Sequence, residues 1–317
     1  MSKRLALGLD IGGTKLAAGV GEASGELLSF TTQPTPQEST PQQVVTLLVE
    51  MAEAALTDAG ISKHDLAGVG VSYGGPVNQA TGVTVCCHHL TGWENFALRE
   101  MLSQELGAWV QVDNDANVSA LGEACFGAGR GYRHLLYLTV SSGIGAGVII
   151  DRRIYRGATG LAGEIGHIVI DTQGPACPCG QRGCLEAMAS GWAIGRHGQE
   201  MGFTRDQQIP DAAVVFAAVA SGNQKAREVI VQASEALGRG IAMAVNLLDP
   251  GLVVIGGGVA KAGETLLQPV RDAVARWAME PIGSRVRIIG AELDNQSGVL
   301  GGVALITSPT EEVVATN

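Results

Sequence analysis

Two stretches of this chain echo one another, and that echo constrains the fold more than any other feature. Thr14-Lys15-Leu16-Ala17-Ala18-Gly19-Val20 resembles Ser142-Gly143-Ile144-Gly145-Ala146-Gly147-Val148. Each follows an apolar run, Leu5–Leu9 or Leu135–Val140, through a glycine turn that carries a hydroxyl. Such self-similarity predicts two related halves, each opening on a β-hairpin. In the first hairpin Asp10-Ile11-Gly12-Gly13-Thr14 reads as the turn and Lys15–Val20 as the returning strand.

The pattern between the echoes supports this organisation. Thr40 offers an N-cap hydroxyl, Pro41 a first helical position and Gln43 the far side of a capping box. Val44, Leu48, Met51 and Ala55 then share one face of a helix over 41–59, and Gly60 supplies its stop. Ala67–Ser72 and Trp109–Val112 read as buried strands, with a helix from about Ala116. The second half predicts helices at about Asp211–Ser221 and Gln224–Leu248 and a strand at Leu252–Ile255 ending in Gly256-Gly257-Gly258. A helix at about Gly263–Met279, a strand at Arg285–Leu293 and a last helix from about Ser297 complete it. The expected fold is α/β, with two lobes and a cleft between them. The boundary is placed near Asp113, giving a small lobe over 1–113 and a large lobe over 114–296. The terminal helix, about 297–317, is expected to pack back on the small lobe.

Composition excludes several classes. With 46% hydrophobic and 16% charged residues, the 317-residue chain can bury a core in each of two domains. A net charge of −10 without a long basic run argues against nucleic acid as a partner. No apolar run reaches the length of a membrane span. The opening Met-Ser-Lys-Arg-Leu has no apolar signal-peptide core, so a reducing cytoplasm is the expected compartment.

Three cysteines and a histidine gather in Gly163-Glu164-Ile165-Gly166-His167 and Cys177-Pro178-Cys179-Gly180-Gln181-Arg182-Gly183-Cys184-Leu185-Glu186. One imidazole and three thiolates can hold a tetrahedral Zn²⁺, and a fully ligated zinc shapes a loop without binding substrate. A disulfide from Cys184 to Cys177 or Cys179, and free thiols, are the alternatives. Six cysteines in the whole chain make no disulfide framework, and Cys86, Cys87 and Cys125 read as ordinary core thiols. Glu164 and Glu186 are not needed as ligands and are free to face something polar. His64, His88, His89, His134 and His197 have no ligand-like spacing, and Trp93 reads as a packed aromatic.

Asp10-x-Gly12-Gly13-Thr14 places a carboxylate at a strand end, then two residues without side chains, then a hydroxyl. Backbone N–H groups there can reach phosphate oxygens, and the carboxylate can hold Mg²⁺, usually through water. A strand rather than a helix follows, so this is neither a Walker A loop nor a dinucleotide fingerprint. Asp113-Asn114-Asp115-Ala116-Asn117 begins a helix after a buried strand. One of its carboxylates can be a cap. Two aspartates and two asparagines also suit phosphoryl transfer to an alcohol, which needs a base for the hydroxyl proton; Asp115 is the candidate.

Taken together, Asp10–Lys15, Gly74-Gly75-Pro76-Val77, Asp113–Asn117, Ser142–Gly145, Glu164–His167 and the Cys177–Glu186 run resemble the sugar kinases of the ROK family. Gly256–Gly258 and the Gly-rich closing helix extend the match over essentially the whole chain. The resemblance implies two actin-like, ribonuclease H-like lobes and an ATP-dependent kinase acting on the 6-hydroxyl of a hexose, glucose foremost. It implies Asp115 as catalytic base, with Gly75, Asn114, Glu164, His167 and Glu186 in the sugar site. Gly12, Gly13, Thr14, Lys15, Ser142 and Gly143 would cradle ATP phosphates, Asp10 would assist Mg²⁺, and Gly257 and Gly258 would border the adenosine. His167 would give one ring nitrogen to a structural Zn²⁺ shared with Cys177, Cys179 and Cys184, and the other to the sugar. A homodimer or homotetramer is expected.

The chain also departs from the family pattern. Gly74-Gly75-Pro76 stands for Pro-Gly-Pro, Ser141-Ser142 for Gly-Thr, and His89-Leu90-Thr91-Gly92-Trp93 for Asn-Leu-Pro-Gly-Trp. The last change lies near the expected sugar pocket and leaves N-acetylmannosamine or N-acetylglucosamine as alternative substrates. A sugar-responsive repressor would carry a helix-turn-helix ahead of Asp10, where the sequence leaves no room for one. A non-catalytic sugar sensor is disfavoured by the intact Asp10, Asp115 and both phosphate turns.

Overall fold

The computed structural model describes residues 4–36, 38–85, 92–202 and 211–308. The chain divides into two compact units, one of residues 1–126 with 295–317 and one of residues 127–294.

In the first unit β1 (Leu5–Ile11) and β2 (Lys15–Glu22) form an antiparallel hairpin in which Leu7 faces Val20. Asp10 and Ile11 belong to the strand rather than the turn. Asp10 lies between Ala17 and Ser72, and Ile11 between Leu16 and Tyr73, so ladder pairing holds both. An edge strand, β3 (Thr31–Pro34), pairs with β2. On the other side β4 (Leu66–Tyr73) runs parallel to β1. A small hairpin, β5 (Val77–Asn78) with β6 (Val83–Thr84), precedes β7 (Val110–Asn114), which runs parallel to β4. The sheet order is β3-β2-β1-β4-β7.

Helix α1 (Pro41–Ala59) begins on the expected capping box: Gln43 N–H donates to Thr40 Oγ1 at 3.3 Å, and Thr40 N–H to Gln43 Oε1 at 2.8 Å. It buries Val44, Leu48, Met51 and Ala55 and stops at Gly60, whose φ of 66° is left-handed. Helix α2 (Leu98–Leu106), not foreseen from the sequence, buries Leu98, Leu102 and Leu106 at four-residue spacing. Trp93 is fully buried with Tyr73 and Phe96 around it at ring separations of 5.2 and 5.3 Å. Cys86, Cys87, His88 and the His89–Thr91 departure lie outside the described residues.

Helix α3 (Asp115–Phe126) follows β7 directly and packs on the last described helix, Ser297–Thr307. That helix also lies on β1 and β4. Its approach is backbone to backbone, because a Cβ on Gly70 would collide with the Gly302 carbonyl and one on Gly8 with the Val299 carbonyl.

The second unit repeats the plan. β8 (Leu135–Val140) and β9 (Ile144–Ile150) form the hairpin, and the edge strand β10 (Arg153–Ile154) pairs with β9. β11 (Leu252–Gly256) runs parallel to β8, and β12 (Arg287–Gly290) parallel to β11. The order β10-β9-β8-β11-β12 repeats the first sheet strand for strand. The echo in the sequence is therefore a repeated topology. Ile11 faces Leu16 and Val140 faces Ile144, so the second turn is the tighter one.

Helices α4 (Leu185–Ala189), α5 (Gly191–Glu200), α6 (Ala212–Ala220), α7 (Gln224–Leu248) and α8 (Glu264–Trp277) share one hydrophobic core with this sheet. A short helix, α9 (Ile282–Arg285), takes the start of the segment expected as strand, so β12 is shorter than that segment. The terminal helix Ser297–Thr307 is α10. Among the described residues no helix is long and apolar enough to cross a membrane.

This packing sets a scale for substitutions. Gly70→Ala should cost about 3 kcal/mol through overpacking against α10, whereas Thr40→Ala, which loses one N-cap, should cost about 1 kcal/mol. Urea midpoints at unchanged m-value would measure both.

Candidate active site and metal centre

In the first unit the candidate residues collect at the carboxyl ends of its parallel strands, a common location for ligands in α/β sheets. Asp10, Ser72 and Asp113 occupy one register row across β1, β4 and β7. Ser72, fully buried, donates its hydroxyl to Asp10 Oδ1 at 2.7 Å. A Cβ on Gly298, in the first turn of α10, would collide with the Asp10 carboxylate. Burial pushes the Asp10 carboxyl above the ordinary carboxylate range, while Ser72 and then Lys15 oppose the shift.

The three polar residues at the junction of β7 and α3 divide the work. Asp113 is buried, accepting Asn114 N–H at 2.8 Å and Asn117 Nδ2 at 3.1 Å. Asn114 caps α3 by accepting Ala116 N–H at 3.0 Å and donates Nδ2 to the Gly75 carbonyl at 3.2 Å. Asp115 accepts Ala116 N–H through Oδ1 at 2.8 Å. Burial first and the Asp10 charge second raise Asp115 to about 6, with hydrogen bonds opposing. It is a half-buried carboxylate whose pKa lies close to neutral pH, as a general base needs.

The turn between β1 and β2 is braced from within. Gly12 N–H donates to the Lys15 carbonyl at 3.0 Å, and Thr35 donates its hydroxyl to the Gly12 carbonyl at 2.7 Å. Thr14 is exposed and Gly13 half-buried at the turn's tip. Lys15 Nζ donates to the Asn295 carbonyl at 3.0 Å, tying the turn to the segment that leads into α10.

In the second unit Gly163 has φ +100°, and a Cβ there would collide with the Ala146 carbonyl. Glycine thus lets the Glu164–His167 segment lie against β9. His167 turns Nδ1 toward Cys177 Sγ at 3.8 Å and Nε2 toward Glu164 Oε2 at 3.9 Å. The ring therefore has one nitrogen in the cysteine cluster and one beside a half-exposed carboxylate. Glu186, in α4, accepts Ile144 N–H through Oε2 at 2.9 Å. That carboxylate leaves no room for a side chain on Gly143, where a Cβ would lie 2.5 Å from Oε2.

The donor atoms of His167, Cys177, Cys179 and Cys184 lie within 4.8 Å of one another. Cys179 and Cys184 have their sulfurs 3.6 Å apart. A disulfide would need about 2.05 Å, whereas two thiolates on one tetrahedral zinc stand about 3.8 Å apart. Among the described residues Cys177, Cys179 and Cys184 form no disulfide. Burial, then the neighbouring thiols, push Cys184 up to about 12, an arrangement that a cation at the centre would relieve. The set fits a closed zinc site.

Around the second turn three backbone segments meet. Ser141 N–H donates to the Gly143 carbonyl at 2.9 Å, and Gly191 N–H, at the start of α5, donates to the Ser141 carbonyl at 2.7 Å. Gly257 has φ +86°, and a Cβ on it would collide with the Val140 carbonyl; Gly258 faces open space. Ser142 is exposed. Sequence reasoning did not single out Ser72, Thr35, Ser190 or Gly191. Ser190, as N-cap of α5, carried a local signal in its place before a helix; the others act through partners distant in sequence.

The ROK family profile matches residues 6–308. The chain belongs to the ROK family. The glucokinase of Halalkalibacterium halodurans is 35% identical to this ROK chain over 318 residues, covering 96% of each protein. The N-acetylmannosamine kinase of Citrobacter koseri is 34% identical over 299 residues, covering 94% of this chain and 97% of that one. Among solved structures, a ROK glucokinase from Streptomyces griseus in complex with glucose and AMPPNP superposes with a TM-score of 0.81 at 30% identity. That match covers 95% of this chain and 98% of the other. Its relatives and the repeated sheet order place this ROK protein in the actin-like fold.

Elemental analysis should find about one zinc per chain in the purified protein, and Cys184→Ser should lose it. Metal-free wild-type protein with freely titrating thiols would overturn the zinc reading.

Proposed function

We propose that this ROK protein is an ATP-dependent sugar kinase that phosphorylates the 6-hydroxyl of a hexose, glucose first, with Asp115 as general base. The observation that carries the reading is Asp115 itself, a half-buried carboxylate raised to about 6 at the carboxyl ends of β1, β4 and β7. Support comes from the glucokinase relative and from the superposition on a glucokinase bound to glucose and AMPPNP.

In this reading Asp115 accepts the proton of the sugar hydroxyl as its oxygen attacks the γ-phosphorus, and ADP leaves with the bridging oxygen. Asn114, held by Gly75, reads a neighbouring hydroxyl. Glu164, His167 and the second oxygen of Glu186 read others. Gly12, Gly13, Thr14 and Lys15 on one turn and Ser142 and Gly143 on the other serve the ATP phosphates. Asp10 would assist the Mg²⁺ that accompanies ATP, and Gly257 and Gly258 would border the adenosine. Zinc held by His167, Cys177, Cys179 and Cys184 would supply no open position for substrate and would orient His167 and the loop into α4. Thiolate ligation suits a reducing cytoplasm, and a homodimer or homotetramer remains part of the proposal.

A second substrate reading, N-acetylmannosamine, is favoured by the 34% identity to a kinase of that sugar. Both readings share the same base and phosphate turns. ADP release with Mg·ATP should favour glucose over N-acetylmannosamine, N-acetylglucosamine, mannose and fructose. Preference for an N-acetyl sugar would move the substrate, and no turnover with any of them would overturn the kinase reading.

Two further outcomes follow from the base. Asp115→Asn should lower kcat about a thousandfold, and near-normal turnover would sink the assignment. Because a base must be ionised, kcat/KM should fall tenfold per pH unit below about pH 6 and level off above it.

A further inference from the structure

Helix α5 presents a feature that the reading above does not use. Gly191 donates to the Ser141 carbonyl, and a Cβ on it would lie 2.7 Å from that oxygen and 3.2 Å from Val259 Cγ2. The first turn of α5 is therefore pressed against both the β8–β9 turn and the segment that continues from Gly257 and Gly258. The next residue, Trp192, is 45% exposed, although Ala193 and Ile194 beyond it sink into the core. Arg196, one helical turn on, places its guanidinium 5.4 Å from the Trp192 ring centroid. Arg196 is itself held by Glu200 Oε1 and the Ala187 carbonyl. The indole is thus fixed by a cation near one side, yet nearly half of its residue surface stays open.

A single exposed aromatic needs no special account. This one stands beside two glycine-lined backbone segments already proposed for phosphate and nucleoside, and it is held by an arginine rather than left free. We propose that Trp192, steadied by Arg196, is the stacking platform for the purine base of the nucleotide donor. The inference rests on the kinase reading and extends it to how the donor is chosen. A stack reads the face of a base rather than its hydrogen-bonding edge. The site should therefore prefer purines to pyrimidines and separate adenine from guanine only weakly.

The test is calorimetric titration of the full-length, zinc-replete protein with ADP, GDP, CDP and inorganic tripolyphosphate, the last lacking a base. Wild-type protein should bind ADP and GDP within a few-fold of each other and CDP more weakly. Trp192→Ala should weaken ADP about tenfold, the scale of one base–aromatic stack, while tripolyphosphate affinity stays at its wild-type value. Trp192→Phe, which keeps a ring, should retain most of the ADP affinity. Unchanged ADP binding in Trp192→Ala would overturn the platform and leave the kinase reading standing. Equal loss of ADP and tripolyphosphate would also overturn it, because the residue would then be shaping the phosphate turn. Failure of the wild-type protein to bind any nucleotide or tripolyphosphate would count against the kinase reading itself.

Discussion

The candidate site in the first unit depends on backbone meeting backbone where no Cβ intervenes. Helix α10 lies on β1 and β4 at distances that only glycine permits, through Gly8 and Gly70 on the strands and Gly302 on the helix. The same helix receives α3, where Gly301 would collide with the Val118 carbonyl if it carried a side chain. Asp115 heads α3 and Asp10 ends β1, so this packing holds the two carboxylates close enough for one to raise the other. A looser fit would let water between them and return both toward ordinary acidity.

The second unit solves a related problem with a loop. The proposed zinc ligands span residues 167–184, and the chain leaves Cys184 directly into α4 and then α5. Those helices hold the β8–β9 turn from two sides, Glu186 on the Ile144 N–H and Gly191 on the Ser141 carbonyl. One short stretch of chain thus links the Cys₃His cluster, the residues proposed for sugar and the turn proposed for phosphate. His167 is the joint, with one ring nitrogen toward sulfur and the other toward Glu164. Ordering this stretch costs conformational entropy that a closed metal site can offset.

Much of this was legible beforehand where the signal was local. The capping box and stop of α1, the full extent of α7 and the two hairpins followed from periodicity, caps and glycine placement. An aspartate before Gly-Gly reads as a turn residue, but the strand partners of Asp10 lie elsewhere in the chain and override that preference. Helix α2 leaves little local signal because its apolar stripe is only three residues long. The segment Arg285–Leu293 looked like one strand because nothing local marks the place where α9 ends and β12 begins.

The sequence by itself determined the α/β alternation, the repeat of the hairpins, and the chemical inventory of carboxylates, glycine turns and a Cys₃His set, since these depend on residue type and near-neighbour spacing. Tertiary structure decided what each group can do. Of Asp113, Asn114 and Asp115, only packing shows that Asp113 is spent on Asn114 and Asn117, that Asn114 is a cap, and that Asp115 is a raised carboxylate. Likewise Ser72 reaches Asp10, and Gly191 reaches Ser141, only because strands and helices remote in the chain are folded together. Burial, charge proximity and backbone contact are properties of three-dimensional neighbours, and a linear pattern does not contain them.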